Sequence, residues 1–144
     1  MNALAEWALR NIEAEIALSG ADASTIMWAV RRMIDLAELP RRRAVIRFHF
    51  RDNPPPKYPH YWLVVEPGAP LPEICSLDPG RDVDLYVETG AVSLGAIIEG
   101  RSSIEREKER GGLFLSGDPG LARSMDRWLR TSVYAALDGI DQIS

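Results

Sequence analysis

Apolar residues recur at helical spacing at the start of the chain, where Leu4, Ala5, Ala8, Leu9, Ile12 and Ile16 form one stripe. Asn2 can cap this helix, Gly20 can close it, and Trp7 widens the stripe enough to meet a second surface. A second helix is predicted from about Ser24 to Leu39, with Ile26, Met27, Val30, Met33, Ile34 and Ala37 inward and Pro40 as its stop. The period then falls to two. Ile46, Phe48 and Phe50 alternate with Arg47, His49 and Arg51, which describes a strand with one wet face. After a proline-rich loop (52–59), strands are predicted at 60–67, 73–77 and 82–88, the last with Val83, Leu85 and Val87 on one side. Hairpin-like spacings between these strands predict an antiparallel meander. Helical period returns at 92–100, and Ser102 with Glu105 reads as a capping box for a helix to residue 110. A short strand with Leu113 and Leu115 inward follows Gly111-Gly112. Asp118 and Pro119 then start a last helix bearing Leu121, Ala122, Met125, Trp128 and Leu129. The expected fold is α+β, a five-stranded, mainly antiparallel sheet covered on one face by helices, with two helices ahead of it. Residues 1–39 read as a helical joining segment and 40–144 as the α+β body.

Composition narrows the class. The 144 residues are 46% hydrophobic and 26% charged, the balance of one globular domain. A net charge of −4 gives no general attraction to nucleic acid, and a single cysteine excludes an internal disulfide. No apolar run reaches the roughly 18 residues of a membrane span, and the glutamate-rich start lacks the basic face of a signal peptide. A cytoplasmic protein is expected. Chemical motifs are sparse. His49 and His60 are the only histidines, and nothing at ligand spacing surrounds them. His49 is expected on the wet strand face and His60 at a loop end. Cys75 reads as a small core residue, Asp78 as a turn, Asp82 and Asp84 as solvent-facing, and Arg41 to Arg43 as a solvated helix exit. The charged stretch 105–110 reads as a solvated helix face. No catalytic residue, metal or cofactor is predicted, so the chain is not expected to be an enzyme.

The stretch from 82 onward has a more specific order: a strand on Val83, Leu85 and Val87, a helix ending at Gly100, a second helix, Gly111 or Gly112, a strand on Leu113 and Leu115, then Gly117-Asp118 leading a helix. This order resembles the sterol-carrier-protein type-2 domain. Residues 40–80 are similar to the C-terminal half of bacterial winged-helix regulators of the HxlR type, and residues 6–16 and 26–40 to the segment that joins their halves. The resemblance implies a hydrophobic cavity between sheet and helices that takes a small lipid-like ligand without covalent chemistry. Its expected lining is Ile46, Phe48, Phe50, Leu85, Val87, Ile97, Ile98, Leu115, Met125 and Trp128. It also implies a homodimer through Leu4, Ala8, Leu9, Ile12 and Ile16. The winged helix is absent from this chain, so no DNA binding by the chain itself is expected. Glu107 and Lys108 depart from the pattern, which tends to place small or apolar residues there. The alternative reading is a dimerisation module with a filled core and no ligand.

Overall fold

The computed structural model describes residues 22–130. The first stripe, with Leu4, Ala8, Leu9, Ile12 and Ile16, lies outside the described residues. The first described helix, α1 (Ala23–Met33), is capped by Asp22, whose carboxylate accepts the Thr25 N–H at 3.0 Å. Its buried face carries Ile26, Met27 and Val30, as the spacing predicts. It is shorter than the sequence predicts. Ile34 turns extended and bridges Leu129, and Asp35 caps a separate 3₁₀ turn at Leu36–Glu38.

Five strands form one sheet: β1 (Ala44–Phe50), β2 (His60–Val65), β3 (Glu73–Cys75), β4 (Leu85–Thr89) and β5 (Leu113–Gly117). Their spatial order is β3-β2-β1-β4-β5. The expected meander is therefore corrected at one joint, because β4 lies parallel to β1 while the other pairs are antiparallel. The reason is local. β1 is buried at five of its seven positions and needs a neighbour on both edges, whereas β3 is three residues long and half exposed. Asp84 makes the join: its carboxylate accepts the Val45 N–H at 2.8 Å and its own N–H donates to Val45 O at 2.8 Å. Asp84 is thus a structural anchor and not the solvent-facing residue the sequence predicts. Arg42 of the basic run holds the same carboxylate at 3.1 Å and reaches Asp118 at 3.4 Å, while Arg43 pairs with Glu66 at 2.8 Å.

Helices α2 (Ala91–Glu99) and α3 (Ile104–Arg110) each end on a left-handed glycine, Gly100 and Gly111. The cap of α3 is Ser103, which accepts the Arg106 N–H at 3.0 Å, so the expected Ser102–Glu105 box does not form. The last helix is split into α4 (Pro119–Arg123) and α5 (Met125–Trp128). Its start is as predicted, with Asp118 capping Gly120 and Leu121 and Pro119 at the first turn. It breaks at Ser124, where φ is −99° and ψ 10°; both the N–H and the hydroxyl of Ser124 donate to Gly120 O, at 3.1 and 2.8 Å, back-bonding that bends a helix.

One face of the sheet, with Ile46, Phe48, Phe50, Leu63, Leu85 and Val87, packs against α1, α2, α4 and α5 in a single core. The opposite face is not uniformly wet. Val45, Trp62 and Val64 form a small apolar cluster there with Cys75 and Val83. Among the described residues, no helix is long and apolar enough to cross a membrane.

Candidate functional site

β1 and β4, side by side, present Ile46, Phe48, Phe50, Leu85 and Val87 toward the helices, because alternation puts every second residue on that face. Ile97 and Ile98 come down from α2, Leu115 from β5, and Met125 and Trp128 from α5. The structure thus gathers all ten predicted lining residues into one interior. Nine are at most 2% exposed and Leu115 is half-buried. Phe50 meets Tyr61 edge-on with centroids 5.8 Å apart. The Trp128 indole N–H donates to Leu121 O at 2.9 Å, which satisfies its buried polar edge.

Clefts open around this interior among the described residues. One of about 440 Å³ is lined by polar groups of Arg51, Asp52, Glu88, Thr89 and Ser93, with Phe114 at its side. The Asp52 carboxylate there caps α2, accepting the Ala91 N–H at 3.1 Å. A second, of about 360 Å³, runs between the 3₁₀ turn and the loop after β2, beside Leu36, Leu39 and Val65. A third, of about 340 Å³, lies between Leu39 and Leu121. None of the ten residues lines any of these three.

The charged stretch of α3 is not a uniformly solvated face. Lys108 is exposed and pairs with Glu105 at 3.6 Å, but Glu107 is 2% exposed. Burial opposes its charge. Hydrogen bonds from Ser102 and Ser93 and the charges of Arg110 and Arg106 outweigh that cost and hold its carboxyl below the usual glutamate value. The partners lie on α2, α3 and the turn between them, so this group ties the two helices together.

No protein-family model matches the sequence, and no curated protein matches it. Solved structures do match. The sec-alkyl sulfatase PisA1 from Pseudomonas sp. is 17% identical with a TM-score of 0.55, covering 79% of this chain. This chain spans only 17% of that sulfatase chain. A palmitated SCP2L2 from Aedes aegypti is 16% identical with a TM-score of 0.51, covering 73% of this chain and 91% of its own. The fold is the sterol carrier protein 2 fold. A sterol carrier protein 2 from Yarrowia lipolytica is also similar, at 18% identity and a TM-score of 0.46, over 82% of this chain and 86% of that one.

On the far face of this sterol-carrier-like sheet lies a polar row that the sequence did not reveal as a unit. His60, His49 and Glu88 stand in register on β2, β1 and β4. The His49 and His60 rings stack with centroids 4.2 Å apart, and His49 Nδ1 contacts Glu88 at 2.5 Å. Arg47 reaches Glu88 at 3.6 Å and covers the Tyr86 ring. Burial, followed by the charges of His49 and Arg47, lowers the His60 pKa against the pull of Glu88. The two histidines are 11 positions apart (60 − 49), a spacing with no signature of its own. Only their strand pairing brings them together. No group of three or more His, Cys, Asp or Glu side chains placed to hold a metal ion occurs among the described residues.

Proposed function

We propose that this chain binds a small hydrophobic or lipid-like ligand, without catalysis, between its sheet and its helices. One observation carries the reading: ten apolar side chains from both layers meet in one interior, in a fold shared with a palmitated domain. A guest enters when the helical layer lifts. At one end that layer consists of α4 and α5, five and four residues long, which hold the fully buried Met125 and Trp128 over the sheet. Their link to the end of α1 is the Ile34–Leu129 bridge with the Asp35 N–H to Trp128 O and Arg130 N–H to Met33 O bonds. Lifting these elements exposes Met125 and Trp128, and the guest's own apolar surface replaces that contact. Covering about 300 Å² of apolar ligand surface contributes on the order of 7 kcal/mol before the costs of association, enough for roughly micromolar binding. In this reading Ile46, Phe48, Phe50, Leu85, Val87, Ile97, Ile98, Leu115, Met125 and Trp128 contact the guest.

The same proposal makes the chain a ligand-sensing part related to a bacterial, cytoplasmic transcriptional regulator. It is supported by the likeness of residues 40–80 to the ligand-binding half of such proteins. Titration with palmitate against a fluorescent fatty acid tests the binding. The expected result is saturable 1:1 displacement, weakened by Ile98→Trp, which fills the space a guest would need. Absence of displacement together with native mass spectra free of bound amphiphile would overturn it.

A second reading has its own observation. Nine of the ten side chains are at most 2% exposed, as in a solid scaffold. A scaffold whose role is to join two chains would show no displacement and a large apolar interface, above roughly 1,200 Å² in total.

A further inference from the structure

We propose that the stacked pair of His49 and His60 is an acid-sensitive latch: protonation of the pair loosens the end of the β1–β2 hairpin and, through the loop that follows, the hold on α2. As a control on the guest site, the latch rests on the ligand-binding reading above. His49 and His60 are direct partners across the antiparallel β1–β2 pair and form its last paired step before the loop 51–59. Beyond them one backbone bond, from Phe50 N–H to Pro59 O at 2.8 Å, closes the strand end. The register is fixed by the buried alternation of Phe48 and Phe50 against Tyr61 and Leu63, because a slip of one residue would turn these apolar side chains to the other face. The fold therefore holds the two rings face to face, 4.2 Å between centroids and 16° from parallel. Such a stack suits two rings of which at most one is charged, since two imidazolium rings so placed repel at contact distance. Both rings are half-buried, so solvent protons reach them while water screens the repulsion only in part.

The one carboxylate in the row is already taken. Glu88 contacts His49 Nδ1 at 2.5 Å and lies 3.6 Å from Arg47. The neighbours of His60 are the His49 ring and, at 6.0 Å, the Trp62 ring. The charged and titratable groups that face it are His49 and Arg47 from β1 and Glu88 from β4. Burial, His49 and Arg47 oppose a proton on His60 more than Glu88 favours it, so the ring takes its charge only below the ordinary histidine value. The folded latch then binds fewer protons than the open chain, and its stability falls as the pH drops from the ordinary histidine value toward the depressed one. The loop carries this loosening to α2. Arg51 N–H donates to Thr89 O at 2.8 Å, just ahead of α2, and the Asp52 carboxylate accepts the first N–H of α2, that of Ala91, at 3.1 and 3.2 Å. Both ties begin at the strand end that the stack closes. α2 in turn supplies Ile97 and Ile98 to the interior, so slack in its anchor opens the guest site.

Two readouts on the full chain test the latch between about pH 7.5 and 5, where histidines change charge. The first is hydrogen exchange at the Phe50 and Ala91 N–H groups, without guest and corrected for the intrinsic pH dependence of exchange. The second is the affinity for a pyrene-labelled long-chain alcohol, an uncharged probe whose own state does not change with pH. In the parent, exchange at both sites should quicken and affinity should fall roughly threefold to tenfold as the pH drops. His60→Phe keeps a stacked ring that takes no proton, so its exchange should stay flat and its affinity should hold within about twofold. His60→Gln repeats the comparison if phenylalanine disturbs the strand. Glu107 and Asp52 titrate alike in parent and variants, so the difference between the chains reads the stack alone. The same acid response at Ala91 in the parent and in both variants overturns the latch, whether or not the probe binds. A probe that fails to bind at any pH, with the acid response at Ala91 abolished by His60→Phe, sinks the ligand reading and upholds the latch.

Discussion

At Gly117, φ is 114° and an added Cβ would lie 2.5 Å from the backbone oxygen of Asp84. Both facts act in the same direction, since the left-handed side is strained for other residues and the obstacle is backbone that cannot swing away. Gly117→Ala should therefore lower stability by about 1–3 kcal/mol in denaturant unfolding, and a change near zero would show that β5 can shift. Glu107 is the other residue whose surroundings decide its behaviour. Its folded-state pKa is depressed, so the stability it contributes is present above the ordinary carboxylate value and is lost as pH falls through the folded value. Glu107→Gln should give a chain that is less stable near neutrality and has a flatter acid limb. Unfolding midpoints measured across the acidic range will show whether the two curves converge at low pH.

Among the elements, the join between β1 and β4 depends most on one side chain. Removing the Asp84 carboxylate leaves the N–H of Val45, a residue 1% exposed, without its acceptor. Asp84→Ala should cost about 1–3 kcal/mol in equilibrium unfolding, with faster hydrogen exchange at Val45 than in the parent. A variant with unchanged exchange there would show that the strand ladder alone holds the join. The elements differ in how far the sequence revealed them. The inward sets of β1 and β4 and the Asp118-Pro119 helix start were legible because alternation and capping are local signals. The parallel pairing was not, because it depends on the weakness of β3 and on a contact between Val45 and Asp84. Nor was the break at Ser124, where the backbone leaves helical geometry inside an otherwise continuous helical stripe. That the ten proposed lining residues share one interior could be read from periodicity and resemblance. The buried state of Glu107 could not, because its partners Ser93 and Ser102 come from a neighbouring helix and a turn.

For the whole molecule, the described residues form one layered body with a continuous interior, and any second copy is proposed to attach through the stripe of Leu4, Ala8, Leu9, Ile12 and Ile16. Leu9→Glu with Ile12→Glu should then convert dimers to monomers in sedimentation, because two buried charges at an apolar contact cost several kcal/mol. An unchanged sedimentation profile would assign the stripe to packing within one chain. The parallel seam in the middle of the sheet has a consequence for how the protein is made. On the open flank of β1, Val45 waits for Asp84, 39 residues later. At a ribosomal rate of about 5–20 residues per second, that flank stays bare for roughly two to eight seconds. During this time the nascent chain offers a greasy, hydrogen-bond-hungry edge to its surroundings, and its safe passage depends on dilution or on a chaperone until synthesis reaches Asp84.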